Sequence, residues 1–224
     1  MSFQALNVLV ELPKMRGAQD NSGMEPYFLF MLAAVALFAL KARDQRRRIA
    51  LLSSHLSNYQ IEKLMETLDE GYDRALGEQD PSRQDQVLAL MQPHETALAS
   101  QFRRLATDIA RADKDQVLIS TLPLALPQAD RLFPSSTFEL GKAFDIHARG
   151  FERAVENEAG RSPRERAFVL SAEMYLMQHT CHWFCKSRTI ASARLLARHK
   201  TSHEQVLDAV SPETRRAYRE LTGI

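Results

Sequence analysis

An uninterrupted apolar run near the N-terminus is the feature that most constrains how this chain can fold. Residues 26–40 read Pro-Tyr-Phe-Leu-Phe-Met-Leu-Ala-Ala-Val-Ala-Leu-Phe-Ala-Leu and contain no charged side chain. A helix that packs on the core of a globular domain usually keeps a polar stripe toward water, and this run has none. The run therefore predicts a transmembrane helix over residues 26–42 that anchors the protein in a lipid bilayer.

The predicted anchor is short, and a basic cluster follows it. A helix of 15 residues rises about 22 Å, against a hydrocarbon core of about 30 Å, so a span requires local thinning of the bilayer. We weigh a buried core helix and a cleaved signal peptide as alternatives, although Leu40 would stand three residues before the only candidate cut, where a small residue is expected. The anchor residues are Pro26, Tyr27, Phe28, Leu29, Leu32, Val35, Leu37, Phe38 and Leu40, and the basic residues after them are Lys41, Arg43, Arg46, Arg47 and Arg48.

The basic residues predict the orientation of this anchor. Only Lys14 and Arg16 precede the run, whereas five Lys and Arg residues lie within residues 41–48. Because basic flanks stay on the cytoplasmic side, we expect a single-pass protein of the plasma (inner) membrane. Its N-terminus is then outside the cell, and its C-terminal body is in the cytoplasm.

The remainder of the chain has a helical pattern of apolar residues and almost no strand signal. We therefore expect an all-α fold, in which the single transmembrane helix precedes a cytoplasmic antiparallel bundle of about five to seven helices. The predicted organisation is a short extracytoplasmic tail over residues 1–25, the transmembrane helix over 26–42, a juxtamembrane helix over 43–80 and the helical bundle over 81–224.

Local sequence patterns predict where several helices begin. Ser136-Thr-Phe-Glu139 and Ser162-Pro-Arg-Glu165 both have the pattern of a capping box, in which the Ser and Glu side chains satisfy each other's backbone donors. The first predicts a helix to about residue 159, and the second a helix to about residue 199. Ser202 and Ser211 predict the starts of two short helices at the C-terminus.

Two further segments carry less regular signals. Residues 117–126 are the second most apolar stretch, but they contain Pro123 and are too short to cross a bilayer. We expect a buried connector there, with a loop that dips into the membrane surface beside the anchor as the alternative. Pro93 is expected to kink or divide a helix over about residues 83–112.

Residue types that ligate metals concentrate in residues 179–185, His-Thr-Cys-His-Trp-Phe-Cys. On one helix, Cys181 and Cys185 fall on the core stripe, whereas the two histidines point about 100° and about 160° away from Cys181, toward a more polar side. One tetrahedral ion cannot collect all four side chains. We expect packing roles and no cofactor, and the alternative is a metal- or haem-binding membrane protein. The candidate ligands for that alternative are His147, His179, His182 and Cys185.

Templates for catalysis are missing from the sequence. His94-Glu95 and His203-Glu204 lack the second histidine of a zinc protease helix, and the chain has neither a glycine-rich phosphate loop nor a Gly-x-Ser-x-Gly elbow. The spacing of the two cysteines fits one helical turn rather than a disulfide framework, which agrees with a reducing compartment. We therefore do not expect an enzyme.

The charges are segregated along the chain. Residues 62–80 hold seven carboxylates, whereas residues 174–203 hold none and carry five Lys and Arg residues. This pattern predicts helix pairing within the bundle or between subunits of a homo-oligomer. Anionic lipid is the next candidate partner, and nucleic acid is less favoured because Trp183 is the only aromatic ring in the basic segment that is placed to stack a base. The predicted function is an interaction or assembly module, a subunit of a membrane-associated complex with protein partners that the sequence does not identify.

Overall fold

Helices make up nearly all the regular structure of the residues described here. The computed structural model describes residues 24–123 and 127–224, apart from the side chains of residues 24–26, 130 and 131. The helices are α1 (Met24–Leu56), α2 (Ile61–Gly77), α3 (Pro81–Ala110), α4 (Ala129–Leu132), α5 (Leu140–Glu156), α6 (Pro163–Cys185), α7 (Arg188–His199), α8 (His203–Ala209) and α9 (Pro212–Thr222). Two short strands, β1 (Leu118–Ser120) and β2 (Thr137–Glu139), pair antiparallel. The fold is all-α, as predicted.

The described part of the chain divides into two units, with the boundary between Phe38 and Ala39 in α1. Within residues 81–224, setting aside the single-turn α4, the described residues form six helices, which lies in the expected range of five to seven. The juxtamembrane helix predicted over residues 43–80 is interrupted, because α1 ends at Leu56 and α2 begins at Ile61. Helix α3 packs against α2 and α5, α6 packs against α5, α7 and α8, and α9 packs against α5. The interior is therefore a helix-on-helix core.

The centre of that core is an aromatic contact between α3 and α5. The ring of Phe102 lies 5.2 Å from the ring of Phe144 and 5.0 Å from the ring of Phe151, measured between centroids. All three side chains are fully buried. Each contributes roughly 2–3 kcal/mol through removal of apolar surface from water, so the α3–α5 pair is a major source of stability.

Three of the predicted helix starts are confirmed. Helix α6 opens with a complete capping box, because the Ser162 hydroxyl accepts from the Glu165 N–H and the Glu165 carboxylate accepts from the Ser162 N–H. Ser202 caps α8 with the same reciprocal bonds, and the Ser211 hydroxyl caps α9. These caps supply partners for backbone donors that a helix leaves unpaired at its start.

The capping box predicted at Ser136 is wrong. Residues 137–139 form β2 instead, and α5 begins at Leu140 without a side-chain cap. The strand pairing places Phe138 opposite Ile119, and both side chains are buried. Phe138 also packs edge-on against Trp183, whose indole N–H donates to the Ser120 carbonyl. Burial of these side chains outweighs the local capping signal.

The helix predicted from residue 162 to about residue 199 is interrupted. Helix α6 ends at Cys185, Lys186 leaves the helical conformation, and the buried Ser187 accepts from the Ile190 N–H to start α7. Helix α3 continues through Pro93 without being divided. In the segment predicted as a connector, Val117 and Ile119 are buried, and residues 124–126 lie outside the described residues.

The transmembrane helix predicted over residues 26–42 is not supported. Among the described residues, no helix combines the length and the apolar character needed to cross a membrane. The described apolar side chains run from Tyr27 to Leu40, about 21 Å of helix, and Lys41, Arg43 and Asp44 then interrupt the run. The Pro26 side chain and residues 1–23 of the predicted tail lie outside what the structure describes.

Candidate interaction groove and buried histidine cluster

A groove of about 1130 Å³ opens on the body between α2, the start of α3, α6 and α8. We refer to it as the α2–α6 groove. Its base includes Leu88 from α3 and Ala172 from α6, which are buried, and Val206 from α8 closes one side. The volume slightly exceeds the roughly 300–1,000 Å³ of typical small-molecule sites, and about half of the lining residues are polar or charged.

Two large apolar side chains stand exposed at the rim of the α2–α6 groove. Leu76 at the end of α2 is 57 % exposed, and Phe168 in the second turn of α6 is 64 % exposed. Single exposed apolar residues are common on protein surfaces. Two of them at the mouth of one apolar groove form the kind of patch that marks a contact with another molecule.

One wall of the groove is polar and partly buried. The Tyr175 ring stacks on the His199 ring with centroids 3.8 Å apart, and the Tyr175 hydroxyl lies 3.5 Å from a carboxylate oxygen of Asp69. Burial raises the pKa of Asp69 to about 6, with Arg198 acting against this shift and Asp73 adding to it. This wall therefore offers one carboxylate, that of Asp69, at reduced solvent exposure, which suits a cationic or hydrogen-bond-donating group on a ligand.

A buried ion pair fixes α2, α3 and α6 below the groove. The Tyr72 hydroxyl donates to Glu95 over 2.8 Å, and Glu95 is only 1 % exposed. The Arg166 guanidinium lies 3.1 Å from the other carboxylate oxygen, in an ion pair whose angle is not that of a hydrogen bond. Loss of either partner would leave a buried charge uncompensated, so this pair holds the groove walls at a defined spacing.

His147, predicted as a candidate metal ligand, is a fully buried core residue of α5. Its Nε2 lies 2.9 Å from the Thr180 hydroxyl, which donates to the Leu176 carbonyl and accepts from the Tyr218 hydroxyl. Since the single Thr180 proton goes to Leu176, His147 must donate through Nε2, and its buried Nδ1 has no partner. Burial lowers the pKa of His147 to about 3, so the ring is neutral.

His179 lies in the interior rather than on the more polar side that the helical angle predicted. Its Nε2 lies 3.0 Å from the Ser192 hydroxyl of α7, and its ring stacks on that of His203 from α8. Burial lowers the pKa of His179 to about 2 and that of His203 to about 4, with nearby cationic groups contributing in both cases. The prediction failed because α7 and α8 fold back over this side of α6.

The remaining candidate ligands face different neighbours. His182 accepts from Arg194 through Nδ1 over 3.1 Å, and partial burial lowers its pKa. Both cysteines are free, and burial raises the pKa of the Cys185 thiol to about 11. Cys181 lies 3.6 Å from the Met177 sulfur on the core side. In the described part of the chain, no three His, Cys, Asp or Glu side chains are grouped so that they could hold a metal ion.

The predicted anchor residues from Tyr27 to Leu40 are all exposed. Their large apolar side chains keep between 52 % and 79 % of their surface accessible. Of the basic residues that follow, Arg43, Arg46 and Arg47 are exposed, Lys41 is half-buried, and Arg48 is half-buried with a bond to the Leu118 carbonyl.

The rim of the α2–α6 groove is not predicted by the sequence patterns described above. The helical angle alone indicates that Phe168 is not a core residue. It lies about 200° around α6 from Leu170, so its side chain cannot share the side of the helix that faces the core. The shape of the groove could not be read from the sequence, because its walls come from segments as far apart as Asp69 and Val206.

Comparison with known proteins gives no match to a family model, to a curated sequence or to a solved structure. The surfaces that bear on function are the exposed apolar segment of α1, the basic residues that follow it and the α2–α6 groove. None of these is a catalytic constellation, and each is a surface suited to contact with another molecule.

Proposed function

We propose that this protein is a membrane-anchored helical protein whose body acts as an interaction or assembly module within a membrane-associated complex. The observation that carries this proposal is the exposed apolar segment of α1 from Tyr27 to Leu40. Water is a poor solvent for such a surface, since each Å² of apolar area left exposed forgoes about 25 cal/mol. Transfer of the segment into a bilayer removes that cost.

The flanking charges support a defined orientation in the membrane. Lys41 and Arg43 can extend their alkyl stems along the helix while their charges reach the headgroups, and thinning of the bilayer accommodates the short apolar length. The basic cluster at residues 41–48 favours a cytoplasmic body, and the N-terminus is then outside. We propose the plasma (inner) membrane as its location.

The α2–α6 groove supports the second part of the proposal, contact with a protein partner. An amphipathic helix of a partner would bury Leu76 and Phe168 under its apolar face and offer a basic side chain to Asp69 and Asp73. Recognition of a helix in an apolar groove is a common mode of assembly. Arg164, which is exposed and also lines the groove, suits an acidic residue of the same partner.

Membrane fractionation followed by affinity purification from native membranes tests this function. The wild-type protein should stay with the membranes after an alkaline carbonate wash and should bring a defined partner with it. Leu76→Ser should lose that partner. Leu90→Ser, at a leucine of α3 that is at least as exposed and lies outside the groove, should retain it. Release by carbonate would overturn the anchor, and identical partner recovery by both variants would overturn the groove.

A further inference from the structure

Three segments of the body come together beside the part of α1 that begins at Leu40. The Arg48 guanidinium donates to the Leu118 carbonyl of β1 over 2.7 Å. The Thr189 hydroxyl at the start of α7 donates to the Pro123 carbonyl over 2.7 Å. The residues after β1 and the start of α7 are thereby tied to each other and to α1.

The residues that lead into α4 lie near the same part of α1. One small cleft is lined by Lys41 and Gln45 of α1 together with Pro127 and Ala129. A second cleft is lined by Leu40 and Arg47 of α1 together with Pro127 and Gln128. Pro127, Gln128 and the first residue of α4 are therefore close to residues 40–47 of α1.

Exposed apolar side chains occur on each of the segments that meet there. Leu132 and Phe133, at the end of α4, are 66 % and 45 % exposed, and Ile190 in α7 is 39 % exposed. Leu132 and Phe133 follow within one helical turn of Ala129, which lines the cleft with Lys41. We call Leu132, Phe133, Ile190 and the α1 residues from Lys41 to Arg47 the end face of the body.

The end face is predominantly basic. Its cationic residues are Lys41, Arg43, Arg46 and Arg47, and Lys186 lies alongside with its amine donating to Gln45. Among the residues whose side chains are described, the acidic groups nearby are Asp44, which pairs with Arg48, together with Asp113 and Asp115 close to Arg47. Arg43 and Arg46 are exposed. An exposed basic surface that also presents apolar side chains is complementary to an anionic bilayer, whose phosphates attract the charges while the apolar groups enter the interface.

We propose that the end face is a second membrane contact, in which Leu132 and Phe133 insert into the interface of a bilayer rich in anionic phospholipid. This inference rests on the proposed membrane anchoring and adds the orientation of the body to it. The contact would hold the body against the membrane surface and leave the α2–α6 groove available to a partner. The occupant is lipid because the basic residues continue directly from the apolar segment that ends at Leu40.

Tryptophan fluorescence of the full chain in vesicles tests this contact. The natural sequence has one tryptophan, Trp183, which is buried, so its emission is subtracted as background. Phe133→Trp and the matched control Phe168→Trp, at the rim of the groove, are each reconstituted into phosphatidylcholine vesicles with or without about 30 % phosphatidylserine. The lipids carry bromine in their acyl chains, which quenches a tryptophan that touches them. Leu132→Trp repeats the measurement in case Phe133→Trp does not fold.

The proposal expects the added emission of Phe133→Trp to be largely lost in brominated vesicles that contain phosphatidylserine, and that of Phe168→Trp to be retained. This loss of emission should be smaller in vesicles of phosphatidylcholine alone. It should also be smaller when Phe133→Trp is combined with Arg43→Gln and Arg47→Gln. If the protein floats with the vesicles but both tryptophans are equally unquenched, the end-face contact is wrong and the anchor stands. If the protein does not float with vesicles, both the anchor and the contact that rests on it are overturned.

Discussion

His179 and His203 stack on each other inside the body, with ring centroids 4.0 Å apart and ring planes inclined by 24°. The pKa of each is far below that of a free histidine, chiefly because of burial. Both rings are therefore neutral at physiological pH. Protonation of both would place two positive charges about 4 Å apart in a poorly solvated site, where charges interact far more strongly than in water. Protonation of both rings would therefore destabilise the stack.

The first prediction concerns the relative importance of His179 and Cys181. His179→Ala should cost about 2–3 kcal/mol of unfolding free energy, because it removes a buried ring and leaves Ser192 without its partner. Cys181→Ala, which removes one sulfur beside Met177, should cost about 1 kcal/mol. Thermal unfolding of the detergent-solubilised variants measures both, with His182→Ala as a half-buried control of small effect. Equal losses for His179→Ala and His182→Ala would contradict the buried placement of His179, and a chelator-dependent shift of the wild type would favour a metal site.

The second prediction concerns the acid sensitivity that His147 confers. Its folded-state pKa of about 3 lies below the value of about 6.5 for the unfolded chain. Between about pH 6.5 and pH 3, the unfolded chain therefore binds a proton at this residue that the folded chain does not bind. Stability is complete above about pH 6.5 and falls by about 1.4 kcal/mol per pH unit as the pH drops. His147→Gln can still donate to Thr180 but does not titrate. Its deficit relative to wild type should therefore shrink by about 2 kcal/mol between pH 7.5 and pH 5.

Urea unfolding at the two pH values measures that change. Glu173, whose pKa is raised to about 7 by burial, contributes a slope of opposite sign, because it is protonated in the folded state first. That contribution is present in both proteins and cancels in the difference. A deficit of His147→Gln that is the same at pH 5 as at pH 7.5 would show that His147 titrates normally.

The third prediction concerns insertion of the apolar segment of α1. Replacing Leu32 and Val35 by Arg should move the protein out of the carbonate-resistant membrane fraction, because each charge near the bilayer centre costs roughly 2.5–3.5 kcal/mol on insertion scales. Leu90→Arg in α3 is the control, since that leucine is at least as exposed and lies outside the segment. Retention of the Leu32→Arg, Val35→Arg protein in the washed membranes would mean that another part of the chain holds the protein there.

The fourth prediction concerns topology. A reporter that is active only in the cytoplasm, fused after Ile224, should be active in the wild type, because the basic residues that follow Leu40 favour the cytoplasmic side. Changing Arg43, Arg46 and Arg47 to Gln should reduce that activity in proportion to the molecules that invert. Full activity of a reporter that works only outside the cytoplasm would reverse the proposed orientation.

Local signals predicted much of the bundle, and tertiary packing decided the rest. Ser162 and Glu165 are adjacent in space whenever a helix starts between them, so the cap could be read without knowing the fold. The same pattern at Ser136 failed because Phe138 is buried against Trp183, a partner 45 positions further along the sequence. A capping bond contributes about 1 kcal/mol, which is less than the burial of a large aromatic side chain.

The candidate site shows the same division. Helical geometry predicts the angle between the His179 and Cys181 side chains on α6. It does not predict that other helices cover the side of α6 that carries His179 as well as the side that carries Cys181. That information lies in the turn at Lys186 and Ser187, which redirects the chain so that α7 packs on α6. A buried hydroxyl at a break in helical periodicity is a weak signal in a single sequence. From the sequence alone, Phe168 could be recognised only as an apolar residue on the side of α6 opposite the core residue Leu170.

The bond from Arg48 to the Leu118 carbonyl has a mechanical consequence. A tension applied along α1 toward its N-terminal end would pass through this guanidinium into β1. From β1 it would spread sideways through the ladder to β2 and to the indole of Trp183, which bonds the neighbouring Ser120. Shearing such a ladder requires several hydrogen bonds to break together. Pulling on α1 would therefore load this β ladder together with the helical core, which α1 also enters through the buried side chain of Leu52.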